Sequence, residues 1–224
     1  MDISERLSKV MARVSLSAAR AGRNPSDIRI LFATKYATAG QIAELARIRP
    51  ALFIGENRVQ DAEEKFEELA GILQPSAFSS IEKHMIGTLQ SNKARRAVEL
   101  FSCIQSVDSL PLAEKISSHA AQAGKEMAVF VEVNNGEAEK RGVLPSELPF
   151  LIAHIQKLPS IKLAGLMGIG VDGDEKATRE FFRLLRREAT KRKLLCSMGM
   201  SGDFEIAVEE GSDMVRIGSA IFKE

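Results

Sequence analysis

The sequence predicts an α/β fold: a single-domain TIM-type (β/α)8 barrel with an extra N-terminal helix. Short strand-like segments alternate with helical segments along all 224 residues, as expected for repeated βα units. Several of the strand-like segments are apolar almost throughout, which is typical of parallel strands buried on both faces. A doubly wound open sheet is the alternative fold, but no GxGxxG motif follows the first strand.

Eight segments have the length and apolar character of strands. They span residues 29–34, 52–55, 84–87, 102–107, 127–133, 163–169, 194–198 and 214–218. Apolar residues at helical spacing predict helices between them, over 38–47, 58–70, 92–100, 110–123, 146–156, 174–193 and 203–210. The segments 71–83 and 134–141 are interpreted as surface loops. No repeat or linker divides the chain, so one domain over residues 1–224 is expected.

A further helix is predicted over residues 3–21, before the first strand. Ile3, Leu7 and Val10 recur on one of its faces, and Asp2 precedes it as a capping residue. The eighth strand segment lies close to the end of the sequence, which leaves no room for an eighth external helix. We therefore expect the first helix to cover the gap in the outer ring.

Charge and composition argue against several classes of function. The 31 Lys and Arg residues nearly balance the 30 Asp and Glu residues, for a formal net charge of +1, whereas nucleic-acid binders usually carry a basic excess. The basic residues of the helix over 174–193 are interpreted as a solvated face. No apolar stretch of about 18 residues predicts a transmembrane helix, and the charged N-terminus is unlike a secretory signal. A cytoplasmic protein that binds neither nucleic acid nor membrane is expected.

The cysteines and histidines predict neither a disulfide framework nor a metal site. Cys103 and Cys196 lie far apart without CxxC spacing, and His84, His119 and His154 form no pattern such as HExxH. His84 begins the third strand segment and is interpreted as a core histidine with satisfied hydrogen bonds.

A lysine, Lys35, directly follows the first strand segment. Function in TIM barrels lies at the carboxyl ends of the strands. A lysine at the mouth of an apolar barrel is expected to be partly desolvated, which lowers the pKa of its ammonium group and frees the amine for a Schiff base. A lysine that reaches solvent or pairs with a carboxylate is the alternative from position alone.

Two Gly/Ser turns follow the last two strand segments. Ser201 and Gly202 come after the seventh, with Ser201 as the expected N-cap of the next helix, and Arg216, Gly218 and Ser219 end the eighth. The loops after strands seven and eight hold phosphate in many TIM barrels, through exposed backbone N–H groups. Arg216 is expected to face the phosphate or a ring nitrogen, or to be a buried ion-pair residue. A pair of ordinary tight turns is the alternative.

These features together imply one ligand that reaches both the lysine and the two turns. Pyridoxal 5′-phosphate (PLP) carries an aldehyde for the lysine and a phosphate for the turns. A sugar-phosphate aldolase substrate satisfies the same two features, and the spacing does not choose between them.

Several blocks of the sequence resemble the pyridoxal phosphate homeostasis proteins. The blocks are ATK at 33–35, FIGEN at 53–57, HMIGTLQSNK at 84–93, SMGMS at 197–201 and VRIGSAIF at 215–222. They follow the order of that family through most of the chain. The family shares its barrel with the N-terminal domain of alanine racemases, so the resemblance implies the same fold here.

The resemblance implies PLP as the cofactor and implies a set of residues that bind it. These are Lys35, Asn57, Ser201, Gly202, Arg216, Gly218 and Ser219. By resemblance, the lysine holds the cofactor as a Schiff base, the four residues of the Gly/Ser turns bind the phosphate, and the other two lie near the ring. Lys140 matches a loop lysine of the family. Ala37 and Thr38 stand where the family commonly has Lys and Pro, which removes a second lysine available for cofactor transfer.

The resemblance also implies a role in vitamin B6 supply and amino-acid balance, without a classical PLP-enzyme activity. We expect a monomer whose partners are PLP and PLP-requiring apoenzymes. A PLP-dependent amino-acid racemase is the alternative. Two-base racemisation needs a proton donor on each face of the substrate, yet the sole tyrosine, Tyr36, lies on the opposite strand face from Lys35. Nothing in the sequence brings Cys103 or Cys196 to the site.

Overall fold

The computed structural model describes residues 2–49, 51–137 and 139–223. Within these residues eight parallel strands close into a barrel, each beside its neighbour in the chain and the last beside the first. In chain order the strands are β1 (Arg29–Ala33), β2 (Phe53–Glu56), β3 (Glu82–Met85), β4 (Cys103–Val107), β5 (Met127–Val133), β6 (Ile161–Gly168), β7 (Leu195–Met198) and β8 (Met214–Ile217). The predicted (β/α)8 barrel is confirmed.

Helices surround the barrel and connect its strands. In chain order they are α1 (Ile3–Arg20), α2 (Ala39–Ile48), α3 (Val59–Ile72), α4 (Pro75–Ser79), α5 (Ala94–Leu100), α6 (Leu110–Gln122), α7 (Leu148–Ile155), α8 (Glu175–Lys191), α9 (Phe204–Glu209) and α10 (Ser219–Phe222). Short 3₁₀ turns precede β1 and α5. Among the described residues, no helix combines the length and apolar character needed to cross a bilayer.

Two apolar clusters hold the barrel together. The larger one fills the layer between the strands and the helices and includes Phe32 and Ile54. The smaller one consists of Cys103, Phe130 and Met167, which come from three neighbouring strands and pack on the inner face. The strands are therefore buried on both faces, as their apolar character predicted.

The N-terminal helix covers the outside of the barrel next to its last strand. α1 packs against α9 and α10 and buries Ile3, Leu7 and Val10. The Asp2 carboxylate accepts a hydrogen bond from the backbone N–H of Glu5 at 2.8 Å, which caps the helix. The expectation that no helix follows β8 is wrong in one detail, because α10 supplies a single turn there. α1 covers the rest of the gap, as expected.

The predicted loop over 71–83 contains regular structure. Pro75 begins α4, since proline at a first helical position gives up no hydrogen bond. β3 then begins earlier than predicted, because Glu82 pairs in register with Phe53 of β2. His84 therefore lies in the middle of its strand and not at its start.

Candidate functional site

The predicted cofactor-binding residues lie at the carboxyl ends of four strands. Because the barrel strands are parallel, these ends form one rim, which we call the barrel mouth. Lys35 follows β1, Asn57 follows β2, Ser201 and Gly202 follow β7, Arg216 lies within β8, and Gly218 and Ser219 follow it. The fold thus brings residues that are far apart in the sequence to one end of the barrel.

Arg216 is the most deeply buried cation at the mouth, with 4% of its surface exposed. One guanidinium nitrogen donates to the Ser197 carbonyl at 2.7 Å and to its hydroxyl at 2.9 Å, and the other donates to the Gly168 carbonyl at 2.8 Å. Burial lowers the pKa of Arg216 to about 10, while the charges of Asp203 and Glu132 oppose that shift. Arg216 makes no ion pair within 4 Å in the described part of the chain, so neutral oxygens hold this cation.

A chain of buried polar groups links Arg216 to the other end of the barrel. The Ser197 hydroxyl donates to the Gln105 side-chain oxygen at 2.7 Å, and the Gln105 amide nitrogen lies 2.8 Å from Nδ1 of His84. With that amide as donor, Nδ1 of His84 accepts and the neutral ring carries its proton on Nε2. Nε2 lies 3.7 Å from the Glu82 carboxylate. His84 is buried as predicted, and Nδ1 has its partner, but Nε2 makes no hydrogen bond.

Two carboxylates, Glu132 of β5 and Asp203, interact electrostatically with the Arg216 guanidinium. Burial raises the pKa of Glu132 to about 7, and the charge of Arg216 opposes that rise. Burial likewise raises the pKa of Asp203, against a backbone hydrogen bond from Met200 and the charge of Arg216. Sequence reasoning missed Glu132. Its signal was a lone glutamate in the apolar strand segment MAVFVEV.

The two Gly/Ser turns meet at the Ser201 hydroxyl. Its oxygen accepts from the backbone N–H of Gly218 at 3.3 Å and from that of Ala220 at 3.4 Å. Gly199 has φ of 94°, a conformation that favours glycine, and turns the chain from β7 toward Ser201. The predicted N-cap role of Ser201 is wrong. α9 begins at Phe204, with Asp203 at its N-cap position, so the Ser201 hydroxyl turns to the neighbouring loop instead.

The geometry of these turns fits a phosphate group. Hydrogen bonds of 3.3 and 3.4 Å are longer than the usual 2.9–3.0 Å, so the two N–H groups are weakly held and can serve another oxygen. A Cβ built on Gly202 would meet no atom within 4 Å, so the space beside this residue is open. At Gly218, by contrast, a Cβ would lie 2.9 Å from the Ala33 carbonyl, so only glycine allows β8 and β1 to end this close together.

Lys35 is exposed, and the expected desolvation of its amine is wrong. β1 ends at Ala33, so Lys35 lies beyond the strand ladder. Its Nζ lies 5.0 Å from the centroid of the Tyr36 ring, and Nζ of Lys223 lies 4.8 Å from the same centroid. Tyr36 is itself 62% exposed. The expectation that Tyr36 lies on the opposite strand face from Lys35 is wrong, because both residues follow the end of β1 and the amine lies beside the ring.

A buried ion pair supports the backbone directly before Lys35. The Lys65 ammonium lies 2.7 Å from the Glu56 carboxylate and also donates to the Thr34 carbonyl at 2.7 Å. The Thr34 hydroxyl donates to the same Glu56 oxygen at 2.6 Å, and the other oxygen of Glu56 has no hydrogen-bond partner. This network was missed from the sequence, because it joins β1, β2 and α3 through residues that form no motif.

The predicted residues border different cavities at the mouth. Asn57 lines a cavity of about 700 Å³ beside β2 and β3, and Lys35 lines one of about 340 Å³ beside α2 and α3. Asp61 lines both. Gly202 lines a third cavity, of about 560 Å³, together with Lys140. The structure therefore gathers these residues at one rim without enclosing all of them in one pocket.

The two cysteines are buried and unpaired. Burial raises the pKa of Cys196 to about 12 and also raises that of Cys103. Both thiols are free. Among the described residues, no group of His, Cys, Asp and Glu side chains could hold a metal ion.

The fold and the mouth define the class of protein. The same barrel fold is found in solved alanine racemases, as in that of Clostridium difficile, which matches with a TM-score of 0.73 at 16% identity over 98% of this chain and 56% of that one. The family model of the alanine racemase N-terminal domain matches residues 19–224 of this chain.

Within that class, the chain belongs to the family of pyridoxal phosphate homeostasis proteins. A protein of that name from Pseudomonas aeruginosa is 37% identical over 98% of this chain and 94% of its own length. The crystal structure of an unknown protein from Bifidobacterium adolescentis matches with a TM-score of 0.91 at 37% identity, over 98% of this chain and 94% of that one. PipY from Synechococcus elongatus, solved with PLP bound, matches with a TM-score of 0.84 at 31% identity, over 99% of this chain and all of its own. The family resemblance of the sequence is confirmed.

Proposed function

We propose that this chain, a single barrel domain over residues 1–224, binds PLP at its mouth and acts in intracellular PLP homeostasis and amino-acid balance. Lys35 is the covalent anchor, and Asn57 and Arg216 lie near the ring. The phosphate is bound by Ser201, Gly202, Gly218 and Ser219. The names of the relatives and the PLP-bound state of PipY support this proposal. PLP supplies an aldehyde that a lysine amine captures reversibly with loss of water.

One observation carries the proposal: two backbone N–H groups converge on a single oxygen atom at the mouth. The N–H groups of Gly218 and Ala220 both point at the Ser201 hydroxyl with long hydrogen bonds. A phosphate oxygen near this position would take shorter and charge-assisted bonds from the same donors. Arg216 lies in β8, directly before this turn, and its guanidinium is fixed by Ser197 and Gly168.

Lys35 as the covalent anchor is tested by absorption spectroscopy. The purified chain mixed with PLP should show the visible band of a lysine-bound cofactor, and Lys35→Ala should lose it. Lys223→Ala is the matched control, because both ammonium groups lie near the Tyr36 ring. A band that survives in Lys35→Ala but is lost in Lys223→Ala would show that Lys223, and not Lys35, binds the cofactor.

The phosphate contacts are tested by comparing PLP with pyridoxal. Charge-assisted hydrogen bonds contribute about 1.5–3 kcal/mol each, so the loss of several should weaken binding by about 100-fold or more. Ser201→Ala should weaken PLP binding and leave the already weak binding of pyridoxal almost unchanged. Equal affinities for PLP and pyridoxal in the unmodified chain would remove the phosphate role of both turns.

We infer a carrier or regulator and not a classical PLP enzyme. A racemase needs a proton donor on each face of its substrate, and the thiols of this chain suit that role poorly because burial raises the pKa of both Cys103 and Cys196. Tyr36 is largely exposed and lies beside the Lys35 amine, so these two groups do not supply proton donors on opposite faces of a substrate. A PLP-dependent amino-acid racemase, favoured by the shared barrel alone, is the second candidate. Incubation with L-alanine should give no D-alanine above a heat-killed control, and a clear excess would favour the racemase.

We further propose that the protein works as a cytoplasmic monomer that passes PLP to PLP-requiring apoenzymes. The exposed position of Lys35 supports exchange, since other amines can reach the anchor from solvent. The chain loaded with PLP should activate an apoenzyme faster than the same amount of PLP bound to serum albumin. Sedimentation of the loaded chain should give the mass of one copy, and a stable dimer would contradict the monomer.

A further inference from the structure

The cavity of about 700 Å³ beside β2 and β3 has the size of a small-molecule site. It is formed where the loops after these strands approach each other closely. A Cβ at Gly87 would collide with the backbone of Asn57, and both residues line the cavity. Arg141, which follows β5 in the chain, lines it as well. The cavity is thus built by three separate segments at the barrel mouth.

Its lining carries an excess of positive charge. Three cationic side chains, Arg58, Lys93 and Arg141, line it together with a single carboxylate, Asp61. Cations that share a cavity repel one another, and an anion between them would remove that repulsion.

Most of this positive charge has no partner within the protein. In the part of the chain that the structure describes, neither Arg58 nor Lys93 makes an ion pair or a side-chain hydrogen bond. Arg141 makes only a contact of 3.9 Å with Asp108 and is 64% exposed. By contrast, Arg96 on the neighbouring α5 is paired with two glutamates. The donors of the cavity are therefore available to a ligand.

A helix of 14 residues also begins at the cavity. α3 has Arg58 at its N-cap position, and this residue forms no side-chain cap hydrogen bond. The first-turn N–H groups of a helix carry a partial positive charge when no side chain caps them. Asp61, in the first turn of α3, offsets part of this field, and the remainder adds to that of the three cations.

We propose that this cavity binds a small organic anion through oxyanion groups, either carboxylate or phosphate. Arg58 and Lys93 bind the oxyanion, and Arg141 contributes charge from the segment after β5. The site is distinct from the predicted phosphate turns after β7 and β8, but it shares Asn57 with the proposed PLP site. Because Asp61 also lines the cavity of Lys35, the two cavities adjoin at this carboxylate.

Calorimetric titration of the full chain with succinate and with inorganic phosphate at low ionic strength tests the proposal. Arg58→Gln and Lys93→Gln should each weaken binding by about tenfold, since each removes a charge-assisted hydrogen bond. Arg95→Gln is the matched control, because this exposed arginine on α5 pairs with Glu99 and does not line the cavity. Its affinity should stay within about twofold. A preference for succinate assigns the site to carboxylates, and a preference for phosphate assigns it to phosphate esters.

The same titrations in the Ser201→Ala background separate this cavity from the phosphate turns. Binding that persists there and is lost in Arg58→Gln and Lys93→Gln lies in the cavity. Binding that is lost with Ser201→Ala and unaffected by the cavity substitutions overturns the proposal and favours the turns. Failure of both probes to bind the unmodified chain overturns it as well. Thermal unfolding of each variant shows whether a loss of binding reflects a loss of folding.

Discussion

The β8 side and the β1 side of the barrel mouth each present a cation, and their environments are opposite. Arg216 is buried, and its guanidinium donates to Ser197 and Gly168. Lys35 is exposed and contacts the face of Tyr36, which is itself exposed. A cation held by buried acceptors has a fixed position, whereas an exposed amine can exchange what it binds. If PLP binds as proposed, the β8 side orients it and the β1 side attaches it reversibly.

The β1 side nevertheless has a rigid base. Thr34, directly before Lys35, contributes its hydroxyl and carbonyl to a buried network with Glu56 and Lys65. The backbone directly before Lys35 is thus fixed although the amine of this residue is exposed. The two sides differ in which part of each residue is held in place. In Arg216 the guanidinium itself is held, whereas at Lys35 only the preceding backbone is held.

The largest expected effect is that of removing the Arg216 guanidinium. Arg216→Met leaves the Ser197 and Gly168 carbonyls without their donor and Glu132 without a nearby cation, so we expect a loss of about 4 kcal/mol in the free energy of unfolding. Urea unfolding without PLP measures it. Arg187→Met, on an exposed part of α8, should change stability by less than about 0.5 kcal/mol. A similar small effect of Arg216→Met would mean that its position is not structurally fixed.

Breaking the ion pair of the β1 side should have the next largest effect. Glu56→Gln and Lys65→Met each leave a buried partner uncompensated, which should cost about 3 kcal/mol apiece. In the double variant the loss should be clearly smaller than the sum, because the two side chains share one interaction. Urea unfolding of the four proteins gives this coupling. Strict additivity would show that the two groups do not stabilise each other.

Glu132 should make the stability of the β8 side depend on pH. Its pKa is about 7 in the folded protein against an ordinary value of 4.5, so the folded state holds a proton that the unfolded state has already lost. The stability that Glu132 contributes is thus present below pH 4.5 and is lost as the pH rises through 7. The free energy of unfolding of Glu132→Gln should gain about 3 kcal/mol relative to that of the unmodified chain between pH 4.5 and pH 8. Glu114→Gln, at an exposed site on α6, gives the background, and parallel curves for both variants would contradict the raised pKa.

The sequence was sufficient for the fold because the barrel repeats one local pattern. Each strand segment is short and apolar, and each helix repeats its apolar face, so every unit could be recognised without knowledge of its neighbours. The errors lie where local rules compete. The segment 71–83 was predicted as a loop although Pro75 begins a helix within it, and the start of β3 was set by pairing with Phe53 and not by its own residues.

The site was only partly predictable, for physical reasons. Gly/Ser turns after known strands can be placed from sequence, but the partner of the Ser201 hydroxyl depends on how two loops meet. The exposure of Lys35 depends on where β1 ends relative to the rim. Glu132 and the network of Glu56 and Lys65 form no motif, and their burial follows from tertiary packing alone. The sequence motifs therefore predicted where the site residues lie in the fold, whereas their burial and hydrogen-bond partners came from the structure.

The smallest expected effect on folding belongs to Lys35, and it completes the comparison with Arg216. Lys35→Met removes an exposed ammonium whose described contact is with the Tyr36 ring, so stability should change by less than about 0.5 kcal/mol. The same variant should lose the visible PLP band completely. Urea unfolding and absorption spectra of one preparation measure both. A loss of more than about 1 kcal/mol would mean that the amine supports the fold, and the β1 side would then anchor as rigidly as the β8 side. A small loss of stability together with an absent PLP band would show that Lys35 attaches the cofactor without supporting the fold. Arg216 cannot show such a separation, because its hydrogen bonds both stabilise the fold and hold the guanidinium in place.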